Sequence, residues 1–117
     1  MKAPALIGLT ALLMGCTKTY NTPEVKIELA QCLVKEGVTM YGAEWCGYCR
    51  KEKEEFGLAW EIMQKNYIEC SDEKNINRCM QIAIDNRISF PTWKFKNGKM
   101  VIGYKTLQEL AELSGCN

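Results

Sequence analysis

Histidine is absent from this 117-residue chain. Its absence excludes Cys–His nucleophile pairs and histidine-ligated metal sites. An excess of charge of either sign is missing too. Fifteen Lys and Arg against fourteen Asp and Glu leave a formal net charge of +1, and no basic cluster compensates. Nothing here suits nucleic acid, which is bound through basic patches. There are no internal repeats and no low-complexity tracts, so the chain is neither a solenoid nor a disordered linker. The apolar run from Ala3 to Leu13 is too short to cross a bilayer, which takes about 20 residues. A hydrophobic fraction of 47% and a charged fraction of 25% are those of an ordinary globular domain, and the length allows one modest core.

Cysteine is what the chain has in plenty. Seven of them are many for a reduced cytosol and normal for an oxidising compartment. The front end agrees with export. Lys2 supplies a positive start, and Ala3 to Leu13 forms the apolar stretch of a secretion signal. Leu13-Met14-Gly15-Cys16 then resembles a bacterial lipobox, in which the peptide is cut before the cysteine and the cysteine is lipidated. The expected organisation is a signal peptide over 1–15, a tether over 16–21 and one domain over 22–117. Thr17, not Asp, follows the cysteine and leans toward the outer membrane. The alternatives are a plain signal peptide with an incidental Cys16, or an uncleaved anchor.

With Cys16 set aside, six cysteines remain, and fifteen pairings are formally open. Cys46-Gly47-Tyr48-Cys49 is the most informative of them. This pair follows a short apolar run, Val38 to Tyr41, and opens a helix-like stretch. That is the strand–turn–helix setting in which Cys-x-x-Cys does redox work. The N–H groups and positive dipole at a helix start stabilise a thiolate on the first cysteine. Cys46 is therefore the expected nucleophile and Cys49 the resolving partner, since one sulfur must attack and a second must release the mixed disulfide. Cys70 and Cys79 bracket a polar loop and are expected to form a structural disulfide. Cys32 and Cys116 are left as a further possible pair.

The rest of the chain supplies the frame. Thr22-Pro23-Glu24 reads as a helix start, and Gly37 as its end. Val38 to Tyr41 is an expected buried strand. A helix is expected from Cys46 to Met63, with Phe56, Trp60 and Met63 as an apolar stripe and Lys51 to Glu55 as a solvated face. Asn66 to Glu69 reads as a strand. Glu73 to Asn86 reads as a helix with Ile76, Cys79, Met80 and Ala83 inward. Asn97-Gly98 marks a hairpin between Thr92–Lys96 and Lys99–Gly103. Thr106 to Glu109 matches a capping box before a last helix over Leu107 to Leu113. The order is α-β-α-β-α-β-β-α.

Tyr41 to Cys49, with Ser89-Phe90-Pro91-Thr92 far downstream, resembles the active-site segments of thioredoxins. The resemblance implies an α/β thioredoxin fold, with a central mixed sheet flanked by helices and a reduced or absent first strand. It also implies a cis-proline at Pro91 and a substrate groove shaped by Trp45, Phe90 and Pro91. Met40-Tyr41-Gly42-Ala43, Glu55-Phe56-Gly57, Tyr67-Ile68-Glu69-Cys70-Ser71, Pro91-Thr92-Trp93 and Leu110 to Gly115 narrow it. From Leu29 to Gly115 the chain looks like the thioredoxin-like domain fused to bacterial vitamin K epoxide reductase homologues. That family exchanges disulfides with exported cysteine-containing proteins and passes electrons to a quinone-linked membrane partner. The expected partners are therefore such proteins, a membrane protein of that reductase type, and the membrane itself through the lipid. No cofactor, metal or nucleic acid is expected.

This chain departs from the family at two places. Gly47-Tyr48 stands where the family has Pro-His, and those residues tune the reduction potential, so oxidation, reduction and isomerisation stay open. Met40 stands where thioredoxins carry a buried aspartate. Glu44 is nearby and reads as an exposed loop charge. Two competing classes remain. Cys46, Cys49, Cys70 and Cys79 offer four thiolates to a zinc ion, although their spacing fits a zinc ribbon poorly. A non-catalytic adaptor with the same fold is the other.

Overall fold

The computed structural model of the protein describes residues 18–117. The expected signal segment and the lipidation site Cys16 lie outside the described residues. Helix α1 spans Pro23–Lys35. Thr22 caps it, its hydroxyl accepting the Val25 N–H, with Pro23 in the first turn where its missing N–H costs nothing. Leu29, Ala30 and Leu33 form its buried face. Gly37, at φ 72°, turns the chain out of the helix into strand β1, Thr39–Gly42.

Four strands form one sheet in the order β2-β1-β3-β4. β2 is Tyr67–Glu69, β3 Thr92–Lys94 and β4 Met100–Ile102. β1 pairs parallel to β2 and antiparallel to β3, with Met40 opposite both Tyr67 and Trp93. Residues Met40 to Gly42 are all buried, as befits a central strand covered on both faces. Successive side chains alternate between the faces. Met40 joins the main core with Leu33, Phe56, Met63, Trp93 and Leu110, while Tyr41 joins a smaller one with Cys70 and Cys79. The architecture is a mixed sheet flanked by helices, a thioredoxin-type α/β fold. Among the described residues no strand precedes α1.

The helix expected from Cys46 to Met63 is broken. α2 runs Gly47–Phe56, a 3-10 turn follows over Gly57–Ala59, and α3 is Trp60–Met63. Gly57 has φ 57° and ψ −130°, a conformation other residues rarely adopt, so the axis changes there. Phe56 and Met63 still reach the core, with Trp60 packed at its edge. The reading of Lys51 to Glu55 as solvated is also corrected. Glu52 is fully buried and Lys53 partly so. Cys49, Glu52 and Phe56 recur at helical spacing and place the glutamate on the buried stripe.

α4 covers Glu73–Asn86 and buries only Cys79. Ile76 and Met80, expected inward, are exposed, and so is Ile84. The Cys70–Cys79 bond ties the middle of the helix to the end of β2, and Ile76, Met80 and Ala83 line a cavity beside that bond. The β3–β4 hairpin turns at Asn97-Gly98, where Gly98 has φ 87° and the Asn97 side chain accepts the Lys99 N–H. Helix α5, Leu107–Ser114, starts with the full Thr106/Glu109 capping box. Beyond it, Cys116 is joined to Cys32 of α1.

Candidate active site

β1 delivers the chain to the site. After Gly42, a three-residue loop leads to Cys46, which caps α2. The cap is made by sulfur: the Cys49 N–H donates to Cys46 Sγ at 3.2 Å, and the Cys46 N–H donates to the Ala43 carbonyl. The first-turn N–H groups of a helix have no intrahelical partner, so a sulfur placed there meets partial positive charge. The Cys46 thiol also reaches the Phe90 carbonyl at 3.5 Å. Cys46 and Cys49 are both free thiols. Cys46 is 8% exposed, whereas Cys49 is sealed beneath it at 0%.

The geometry separates the pair into an outer and an inner sulfur. Burial, then the hydrogen bond with Cys46, pushes the Cys49 thiol well up; the Ala43 amide and the Lys53 ammonium pull the other way. The inner thiol thus keeps its proton until attack is called for.

The rim is aromatic. Trp45 is 69% exposed, and its ring meets Phe90 edge-on with centroids 6.0 Å apart. It is a surface residue, not part of the core. The Phe90–Pro91 bond is cis, and Pro91 is buried beside β3. The structure thus brings Trp45, Cys46, Cys49, Phe90 and Pro91 together. The loop is clamped from outside. Arg50 Nη1 donates to the Glu44 carbonyl at 2.8 Å, and the Glu44 N–H donates to Glu69 Oε2 at 2.9 Å. The Glu44 side chain is exposed.

The other cysteines lie elsewhere. Cys32–Cys116 ties α1 to the end of α5. Cys70–Cys79 lies under α4 and, with Ile76, Met80, Ala83 and Phe90, lines an apolar cavity bordering the rim. With Cys70 and Cys79 bonded to each other, the four-thiolate zinc set is not assembled. Among the described residues no group of three His, Cys, Asp or Glu side chains converges on a metal position.

Four residues at the site carried no functional expectation from sequence. Glu52 accepts the Trp93 indole N–H at 3.1 Å and the Lys105 N–H at 2.8 Å through one oxygen, while its other oxygen is buried with no partner among the described residues. Lys53, Tyr67 and Glu69 form a cluster at the end of β2 beside Cys49. The i, i+3 and i+4 spacing of Glu52 and Lys53 from Cys49 was the available signal.

No known protein family's profile matches the chain. Its sequence is 39% identical over 95 residues to the thiol-disulfide oxidoreductase LTO1 of Arabidopsis thaliana, a match covering 76% of this chain and 24% of that protein. The chain thus spans about a quarter of the length of that relative.

Proposed function

We propose that the protein is a thiol–disulfide oxidoreductase of the cell envelope, anchored by lipid on Cys16, that exchanges disulfides with exported cysteine-containing proteins. The observation that carries the redox reading is the unequal pair at the start of α2. Cys46 is the outer sulfur and caps the helix, and Cys49 is the inner one, held protonated by burial. The named activity of LTO1 supports the same chemistry. Two further disulfides in one small domain support an oxidising compartment. The lipobox-like segment supports the anchor, and the resemblance to domains fused to vitamin K epoxide reductase homologues supports a quinone-linked membrane protein as electron partner.

In the reducing direction, the Cys46 thiolate attacks one sulfur of a substrate disulfide, forming a mixed disulfide and releasing the other substrate sulfur as thiolate. Cys49 then loses its proton and attacks Cys46 Sγ. The Cys46–substrate bond breaks, its electron pair leaves on the substrate sulfur, and Cys46–Cys49 closes. Oxidation of a substrate dithiol runs the same steps backward. Trp45 and Phe90 offer apolar surface to the substrate chain around the attacking sulfur.

Turnover of a disulfide-bonded protein such as insulin tests this. The wild type should reduce it when coupled to a thiol donor, and Cys46→Ser should be silent while unfolding at the same temperature. Equal activity of Cys46→Ser and wild type would remove the reading.

A further inference from the structure

We propose that Lys53, seated between the Tyr67 ring and the Glu69 carboxylate, is the positioning residue of the resolving step, its ammonium stabilising the Cys49 thiolate as that sulfur attacks. The inference rests on the exchange reading above and deepens it, because it concerns only the second half of the reaction.

Helical spacing gives the first part of the geometry. Cys49 and Lys53 are four residues apart on α2, so they occupy one face, one above the other. β2 gives the second. Lys53 Nζ lies 4.2 Å from the centroid of the Tyr67 ring, 5.5 Å from that of Trp60, and 4.0 Å from Glu69 Oε1. A long cationic side chain that could have extended into solvent is held in an aromatic and acidic seat. Gly42 gives the third. A methyl group at that position would meet the Tyr67 hydroxyl at 2.9 Å and Cys49 Sγ at 3.1 Å. The glycine thus leaves the edge of the Tyr67 ring and the inner sulfur separated only by the space of a missing side chain.

Charge then decides what the seat does. The titratable groups around Cys49 are Cys46, which caps α2, Glu52 and Lys53 one turn further along α2, and Tyr67 of β2 with the Glu69 it bonds. Met40 of β1 and Trp93 of β3, in the same core, carry no charge. Glu69 is spoken for. Burial works to raise its carboxyl, but hydrogen bonds from Ser71, Tyr67 and the Glu44 N–H outweigh this together and hold it below the usual carboxylate range. Tyr67 keeps its proton, raised first by burial and then by its bond to Glu69. Glu52 spends one oxygen on Trp93 and Lys105. That leaves Lys53 as the side-chain cation that favours the thiolate of Cys49. Glu69 and Tyr67 keep that ammonium from swinging out.

Rapid mixing of the reduced full-length protein with the aromatic disulfide dithiobis(nitrobenzoate) reads both steps by colour. The first equivalent of thiol appears as Cys46 attacks, and the second as Cys49 resolves the adduct. In Lys53→Met the first phase should keep its pH profile. The midpoint of the second should move up by about one unit, the low end of what a neighbouring opposite charge supplies, and its rate below the midpoint should fall about tenfold. Lys53→Arg, which keeps the charge, should restore the wild-type midpoint. An unmoved midpoint in Lys53→Met, or a second phase slowed equally at every pH, overturns the proposal, since both describe a merely structural lysine. A wild type that shows no second phase removes the exchange reading, and the proposal with it.

Discussion

Glu52→Gln should make the protein more stable at alkaline pH and leave it unchanged at acid pH. The Glu52 side chain is wholly buried, with one oxygen bonded to Trp93 and Lys105 and the other to none of the described residues. Burial pushes its carboxyl from 4.5 up to about 7, against the two hydrogen bonds, and Glu55 adds to the rise. Because the folded value is raised, the native state keeps a proton that the unfolded chain has already released. Stability therefore falls as pH rises through the window from 4.5 to about 7. At 1.36 kcal/mol per unit, the gap amounts to about 3 kcal/mol of native-state cost once the group is ionised. Glutamine has the shape of the neutral acid. Its oxygen can still accept from Trp93 and Lys105, and it brings no charge to bury. The two proteins should unfold alike near pH 4.5 and diverge above it. By about pH 9 the variant should be ahead by about 3 kcal/mol, at roughly 4–8 °C in Tm per kcal/mol for a domain of this size. Urea unfolding across that pH range measures the difference directly. A variant that is ahead by the same amount at both ends, or behind at alkaline pH, would refute the reasoning.

The two structural disulfides should differ in weight. Cys32–Cys116 spans a sequence separation of 84 and Cys70–Cys79 one of 9. In the chain-entropy account, removing the first pair by double alanine substitution costs about 4.5 kcal/mol and removing the second about 2.7 kcal/mol. The Cys70→Ala/Cys79→Ala protein should melt lower yet keep its exchange activity per folded molecule; normal melting with lost activity would place that pair in the electron path. Cys49→Ser should accumulate mixed disulfides on Cys46 in cells, visible on non-reducing gels, while Cys46→Ser should accumulate none. Gly42→Ala should destabilise by about 1–3 kcal/mol, because its methyl meets the Tyr67 ring at 2.9 Å and Cys49 Sγ at 3.1 Å. Denaturant titration measures that cost.

Much of the frame could be read from local chemistry. Thr22-Pro23, the Thr106/Glu109 box and Asn97-Gly98 each satisfy backbone groups within a few residues, so their elements were legible without the fold. Strand β1 was legible as a short apolar run. The break at Gly57 was not. Its glycine stood in plain view, but helical periodicity resumes at Trp60 and bridges the gap on paper. The outward turn of Ile76 and Met80 was hidden for another reason. Periodicity marks an apolar face, but the Cys70–Cys79 bond decides how deep that face sits. Lys51 to Glu55 misled because charge is expected on the surface. Helical phase turns Glu52 inward, and the Trp93 and Lys105 N–H groups meet it there. At the site, Cys46 and Cys49 stand out by spacing alone. The Lys53–Tyr67–Glu69 cluster does not, because it forms only when α2 is laid across the end of β2.

The most direct test of the central claim is a redox titration of the purified protein in glutathione buffers. Thiols are alkylated at each poise, and peptides are weighed. One reversible two-electron transition confined to Cys46 and Cys49 is expected, with a midpoint between about −120 and −270 mV, the span of known disulfide-exchange proteins. Cys32–Cys116 and Cys70–Cys79 should stay closed throughout that range. A protein whose Cys46 and Cys49 never join, or join only as the other two bonds scramble, would contradict it.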